Sequence, residues 1–410
     1  MQFSSYHDAV ARLLALQNLE APWKHNDPAS LRASFVRLQQ LLDRLGNPEA
    51  AMRYIHVTGT SGKGSVTKLV HDMLRQGGRS VASYYSPHTT TLLERYRIND
   101  KLIAPDDLVD AIDDVLAAYQ SHIAANLQPL TFFELTTCVA FVAFANAGVE
   151  WCVLEVGLGG RFDSTNVIPH KDVAVITNID LDHTDVLGNT VEKIADEKAG
   201  IIIPGCEVVT GATQPRVKKL IADAARKSYA PVTFVASPKQ YGNGVAVPSR
   251  HHLHNSLLAA AAAQLVGVPM DVITRVVETT RRLPCRFEVM QNEPTVIIDG
   301  AHNVAKMKTT IALLPKNVTV IFGCKEDKDA VAILRALSKV AKTIHTTRYQ
   351  NGRGKPANPA TLLAMVPKAK RGNAFLFAHD AVSYAVHNAP PTPSNSHSGR
   401  GRAAPQSHSP

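Results

Sequence analysis

Short β-branched runs alternate with helix-patterned stretches along most of this chain, and that alternation restricts it to a sheet of parallel strands covered by helices. The strand candidates are Tyr54–Val57, Val81–Tyr85, Cys152–Val156, Val173–Thr177, Val208–Thr210 and Val232–Val235. A second series follows at Thr295–Ile298, Val318–Phe322, Thr343–His345 and Ala374–Phe377. Between them, Ser65–Gln76, Asp106–Ala124, Phe133–Ala147, Gln214–Lys227 and Leu257–Val266 read as helices. Thr280–Pro284 reads as the hinge between the two series. The expected organisation is a large α/β domain over 1–283, a smaller one over 284–388, and a tail over 389–410. That tail offers no large apolar side chain to bury, so it is expected to be disordered.

Composition narrows the class. Five cysteines are widely spread with no CxxC pair, which argues against a disulfide framework or a zinc site and for a reducing compartment. The most apolar stretch, Leu135 to Leu154, is broken by Asn146, Gly148 and Glu150, so it reads as a buried helix turning into a buried strand rather than a membrane span. No basic segment followed by an apolar core opens the chain, and a cytoplasmic protein is expected. The formal charge of +9 suits a polyanionic small ligand or nucleic acid. The basic residues are scattered and no aromatics interleave with them, so a nucleic-acid partner is not expected.

The run Tyr54-Ile-His-Val-Thr-Gly-Thr-Ser-Gly-Lys-Gly-Ser65 is a strand, a glycine-rich turn and a helix start. Such a turn lets backbone N–H groups curl around phosphate oxygens, with the helix N-terminus and Lys63 adding positive charge. It departs from the strict phosphate-loop pattern: Val57 stands at the first glycine position, Gly64 follows the lysine, and the hydroxyl comes one residue later at Ser65. Farther on, Leu154-Glu-Val-Gly-Leu-Gly-Gly-Arg-Phe-Asp-Ser-Thr-Asn166 puts a carboxylate at a strand end before glycines, where an open α/β sheet presents a metal ligand to phosphate. A dinucleotide reading of Gly157-Leu-Gly-Gly160 fails, because the fingerprint's third glycine falls on Phe162.

Gly59-Thr-Ser-Gly-Lys-Gly-Ser65 resembles the phosphate loop of the Mur-ligase superfamily in its folylpolyglutamate synthase / dihydrofolate synthase form, and the resemblance runs on in order over roughly residues 30 to 330. It implies a P-loop NTPase-like parallel-sheet domain followed by a smaller Rossmann-like α/β domain. It also implies an ATP- and Mg²⁺-dependent ligase that adds L-glutamate to a folate through an acyl phosphate. By the same resemblance Gly59, Thr60, Ser61, Gly62, Lys63, Gly64 and Ser65 bind ATP phosphates. The turn Tyr85-Ser-Pro-His88 makes Ser86 a metal ligand, beside Glu155 and the His183 of Thr177-Asn-Ile-Asp-Leu-Asp-His183. Glu197-Lys-Ala-Gly-Ile201 makes Lys198 the site of a CO₂-derived carbamate that serves as a further ligand, with two Mg²⁺ sites in all. A buried lysine amine is nucleophilic enough for that reaction.

Leu130-Thr-Phe-Phe-Glu-Leu-Thr136 resembles the family segment near the pterin, which assigns Thr131, Phe133 and Glu134 to the substrate; Phe132 and Phe133 equally suit a plain core. His251-His-Leu-His-Asn255 implies an ATP contact from Asn255. Leu283-Pro-Cys-Arg-Phe-Glu288 implies that Arg286 reaches phosphate, with Cys285 where the family has glycine. Asp299-Gly-Ala-His-Asn303 implies Asp299 on ATP and His302 on the terminal phosphate, and the catalytic assignments are Lys63, Lys198 and His302. The family's closing Gly-Ser strand has no counterpart in this tail. Folate and L-glutamate are the implied substrates, to a monomeric enzyme. The rivals are a Mur-type peptidoglycan precursor ligase, disfavoured by the roughly fifty residues before the loop, and a non-catalytic nucleotide-binding homologue. Dihydropteroate and tetrahydrofolate both remain open as acceptors.

Overall fold

The computed structural model describes residues 3–16, 28–235, 250–280, 283–349 and 355–389. Residues 390–410, and with them the expected disorder of the tail, lie outside that set, as do 281–282 of the expected hinge. The chain divides into two compact units, Met1–Pro284 and Cys285–Pro410.

The first unit is built on eight strands: β1 (Arg53–Thr58), β2 (Val81–Tyr84), β3 (Tyr96–Ile98), β4 (Lys101–Leu102), β5 (Trp151–Glu155), β6 (Val173–Ile176), β7 (Glu207–Thr210) and β8 (Val232–Phe234). Their order is β4-β3-β2-β5-β1-β6-β7-β8. Six run parallel, while β3 and β4 fold back as an antiparallel edge. The sequence pattern missed that edge because β4 is only two residues long and β3 three, too short to show a period. The central strands β2, β5 and β6 are buried along their whole length, and so is β1 beyond Arg53, as helices cover both faces.

On one face, helices Phe3–Ala15, Pro28–Arg44, Pro105–Ala124 and Phe132–Asn146 pack around Tyr54, Tyr84, Tyr96 and Phe141. On the other, Lys63–Gln76, Arg250–Leu265 and Met270–Thr279 close over Ile55, Val57, Val153 and Val175. The apolar stretch from Leu135 is the end-to-end buried helix and strand expected, and among the described residues no helix is long and apolar enough to cross a membrane. Register places Val57 opposite Glu155 and Thr58 opposite Ile176. The carboxyl ends of β1, β5 and β6 therefore open side by side at one edge of the sheet, where such sheets bind ligands.

The second unit holds an antiparallel pair, β9 (Glu288–Asn292) with β10 (Thr295–Ile298), and a parallel sheet β11 (Val318–Phe322), β12 (Ala341–Thr346), β13 (Arg371–Ala374). Two expectations need correction. Thr295–Ile298 does not join the parallel series; it pairs back on its predecessor across a short turn. The last strand is Arg371–Ala374 rather than Ala374–Phe377. The apolar run that suggested the later position begins where the strand closes: Phe375 N–H still donates to Thr346 O (2.8 Å) and its half-buried ring packs on His345 and Tyr384, while Leu376 is exposed.

Candidate active site

β1 ends at Thr58, the chain turns through Gly59–Gly62, and Lys63 opens the helix to Gln76. Gly62, at φ 84°, is the left-handed cap of that helix. The turn is strapped to the segment after β6. Thr60 N–H donates to Asn178 O (2.9 Å) and Ser61 N–H to Asn178 Oδ1 (2.8 Å). Thr177 Oγ1 donates to Ser61 O (2.7 Å), and Asp180 N–H donates to Thr60 Oγ1 (3.0 Å). Gly59 is obligatory: a Cβ there would meet Thr177 Oγ1 at 1.8 Å. Asn255 lies against the same turn, its Oδ1 2.5 Å from where a Gly62 Cβ would stand. The loop thus ends in a half-buried helix N-terminus holding Gly64 and Ser65, whose first N–H groups have no partner within a helix and suit an anion.

Glu155 is the last residue of β5, one strand over, and is 5% exposed. Its Oε2 accepts the Ser86 N–H at 3.1 Å, and both its oxygens lie within 3.4 Å of where a Gly64 Cβ would be. Strand adjacency therefore brings Ser86, Glu155 and Gly64 together from three distant stretches of sequence. Lys198 is 3% exposed and its Nζ donates to Gly59 O at 3.1 Å, while Lys63 Nζ donates to that same oxygen at 3.2 Å. Burial first, and then the Lys63 charge, push the Lys198 amine down to about 7. His183 takes a left-handed φ of 48° and is exposed, with Nε2 4.0 Å from Asp182 Oδ2. Among the described residues no three His, Cys, Asp or Glu side chains close as a metal cluster. Of the expected metal ligands, Ser86 and Glu155 lie in contact, through the Ser86 backbone N–H.

The expected substrate segment caps the helix Phe132–Asn146. Thr131 accepts from Glu134 N–H, and Glu134 accepts from Thr131 N–H in return. Glu134 is 2% exposed and receives three bonds of 3.0–3.2 Å from Arg37. Burial raises its carboxyl while the Arg37 charge pulls it back. Its oxygens are engaged in capping and in this ion pair, so Arg37 is a functional candidate that sequence reasoning missed; nothing local links residues this far apart. Phe133 is half-buried, with its ring on the Gly157 backbone, where a Cβ would come within 2.5 Å, and against Tyr84. Phe132 is core, below the Arg95 guanidinium that donates to His88 Nδ1 (2.9 Å).

In the second unit, Asp299 follows β10. Its Oδ2 accepts Phe287 N–H (2.8 Å), and its Oδ1 accepts Ala301 N–H (2.9 Å) and Thr310 Oγ1 (2.8 Å). That carboxylate knots the Cys285–Phe287 turn to the helix Val304–Ile311. Arg286 is exposed between Cys285 and Phe287, both left-handed at φ 56° and 52°. Cys285 thus keeps the conformation a glycine would adopt freely. His302 is exposed, donating from Nδ1 to Gly300 O (2.9 Å), with Lys306 Nζ donating to its Nε2 (3.3 Å).

The Mur ligase middle domain matches residues 57–242, and the Mur ligase glutamate ligase domain matches 285–393. A dihydrofolate synthase/folylpolyglutamate synthase of Bacillus subtilis is 32% identical over 383 residues, covering 85% of this chain and 86% of the relative. An Escherichia coli FolC in complex with DHPP and ADP superposes with a TM-score of 0.78 at 28% identity, over 93% of this chain and 92% of that one. A bifunctional folylpolyglutamate synthase/dihydrofolate synthase with Mn, AMPPNP and L-glutamate bound matches with the same TM-score, identity and coverage.

Proposed function

The chain belongs to the dihydrofolate synthase/folylpolyglutamate synthase family of Mur-type ligases, and on that premise we propose how its residues perform ATP-dependent ligation of L-glutamate to a folate. The observation that supports the reading most is the buried Glu155 carboxylate and the Lys63–Lys198 amine pair converging on one glycine-rich turn. A carboxylate does not react with an amine at neutral pH, because oxide is a poor leaving group. ATP removes that obstacle: a folate carboxylate oxygen attacks the γ-phosphorus, ADP leaves, and the glutamate amine displaces phosphate from the acyl carbon, losing a proton. Two anions meet in the first step, so cations and N–H groups must offset their repulsion.

Within the Gly59–Ser65 loop, Asn178 holds the Thr60 and Ser61 N–H groups, so those of Gly62 to Ser65 at the helix start would face phosphate, and Lys63 supplies a charge. Asn255 lies on the glycine turn, and by the family resemblance it, Arg286, Asp299 and His302 would be further nucleotide contacts, His302 toward the terminal phosphate. Ser86 and Glu155 would hold a divalent metal, Mg²⁺ in the simplest case, with His183 and a carbamate on Lys198 completing two sites; the buried carboxylate and the contact between its oxygen and Ser86 suit that role. A metal held there would neutralise phosphate charge. The carbamate forms as the neutral Lys198 amine adds to CO₂ and loses a proton, and an amine pushed down to about 7 is half neutral at physiological pH. Phe133 offers a ring face to a flat heterocycle, and Thr131 and Glu134 fix that wall, Glu134 by anchoring Arg37. The reading includes a monomeric, cytoplasmic protein.

The test is ADP release with dihydropteroate or tetrahydrofolate, each with and without L-glutamate. Release that needs a folate and glutamate together is expected. Release indifferent to the folate, or none with either acceptor, overturns the reading.

A further inference from the structure

Beneath the glycine turn that follows Glu155, four buried polar side chains form a continuous chain: Lys171, His56, Thr165 and Asp163, each 5% exposed or less. Lys171 Nζ lies 3.0 Å from His56 Nδ1, and His56 Nε2 lies 2.8 Å from Thr165 Oγ1. Thr165 Oγ1 donates to Asp163 Oδ1, and Asp163 Oδ2 accepts the Leu158 N–H at 2.9 Å. One consistent set of donors satisfies every link. The lysine donates to Nδ1, which fixes the histidine as its Nε2–H tautomer; that N–H points to Thr165, whose O–H points to Asp163.

A second arm leaves the same amine. Lys171 Nζ donates to Asn166 Oδ1 (2.7 Å), and Asn166 Nδ2 donates to Arg161 O (3.1 Å) and Gly200 O (3.2 Å). The first arm ends on the glycine turn at Leu158, and the second on Arg161 O and on Gly200 O, two residues beyond Lys198. The turn itself touches the helix Val191–Ala199 that carries Lys198, since a Gly160 Cβ would lie 3.0–3.1 Å from Glu197 O and Lys198 Cα. His56 shares one face of β1 with Thr58, two residues on, whose Oγ1 donates to Gly159 O at 2.6 Å. The strand that launches the phosphate loop therefore grips the turn at two points.

We propose that Lys171, acting through His56 and Thr165, is a positioning residue that holds Asp163 and the Gly157–Gly160 turn, and so keeps Glu155 and Lys198 in register with the phosphate loop. This rests on the ligase reading for its effect on rate, but not for its geometry. Burying these groups is costly. Desolvation pushes the Lys171 amine down to about 7 and the His56 imidazole well below its ordinary value. Apolar side chains would fill the same volume at no such cost, so the network's return lies in fixing one arrangement of the turn.

Two measurements test this. In ¹⁵N-histidine-labelled wild-type protein without substrates, the His56 signal, identified by its loss in His56→Gln, should show Nε2 protonated and Nδ1 bare, and Lys171→Met should abolish that single tautomer. Second, kcat well below the melting temperature should fall at least about tenfold in Thr165→Val, as expected when site geometry loosens, and return to within about threefold of wild type in Thr165→Ser, which restores the hydroxyl. If Thr165→Val does not fold, Lys171→Met supplies the same kcat comparison. A wild-type imidazole protonated at Nδ1, or a Thr165→Val enzyme as fast as wild type, overturns the proposal. Absence of ligase activity in wild type overturns the ligase reading instead, and the tautomer then decides this one alone.

Discussion

Replacing Gly59 by alanine probes how tightly the phosphate loop is seated. The new Cβ would lie 1.8 Å from Thr177 Oγ1, 3.0 Å from Thr177 Cβ and 3.1 Å from Thr177 N, at a φ of 147° that side chains rarely adopt. The hydroxyl can swing away only by giving up its 2.7 Å bond to Ser61 O, worth about 1 kcal/mol net. Thr177 N cannot retreat at all without breaking its 2.9 Å bond to Thr58 O, where β1 meets β6. Backbone strain adds about 1–3 kcal/mol, so a loss of about 2–4 kcal/mol in unfolding free energy is expected. A loop displaced by about 1 Å should also cost about 100-fold in kcat. Urea unfolding, ATP titration and turnover would be compared for Gly59→Ala, Thr177→Ala and the double variant. Removing the hydroxyl should recover about 1 kcal/mol of the alanine's cost, as a non-additive coupling between contacting residues. Strict additivity, or a Gly59→Ala protein with wild-type stability and ATP affinity, refutes the steric argument.

Glu155→Gln should keep its melting temperature within a few degrees while ligase turnover falls by about 100-fold or more, since a buried charged ligand becomes a neutral isostere; near-wild-type turnover would remove Glu155 from the metal set. Lys198 becomes neutral as pH rises through about 7, so activity in bicarbonate buffer should climb across that range. Lys198→Ala should lose activity and regain part of it with short carboxylic acids, and an alanine variant as active as wild type would exclude the carbamate. Cys285→Gly should raise the stability of the second unit by up to about 1 kcal/mol in thermal unfolding, because Cys285 already holds a left-handed φ of 56°. For Lys171 the folded pKa of about 7 lies below the ordinary 10.5, so between them only the unfolded chain holds the proton and stability rises with pH. Lys171→Met lacks that slope, and urea titrations from pH 7 to 9 should show wild type gaining on it by up to about 1 kcal/mol per pH unit.

What the sequence determined by itself was whatever a few adjacent residues specify. Tyr54–Ser65 is readable as strand, turn and helix because glycines, a lysine and a β-branched run sit within one window, and Leu154–Asn166 likewise shows a carboxylate at a strand end. The parallel sheet followed from β-branched runs alternating with helix-patterned stretches, and the two series of strands from the hinge read at Thr280–Pro284. Only the tertiary structure decided that β1 lies between β5 and β6, and hence that Thr177 meets Gly59 and Glu155 meets Gly64. It alone paired Glu134 with Arg37, seated Asn255 on Gly62, and joined Lys171 to His56. The short antiparallel edge of β3 and β4 and the pairing of β9 with β10 escaped for a related reason: β3 and β4 are three and two residues long, and no residue of β9 or β10 is fully buried, so no period of burial shows what they pair with. Local backbone preference and burial period are written along the chain, whereas the partner of a buried charge depends on strand order and register, which distant segments settle only when they pack.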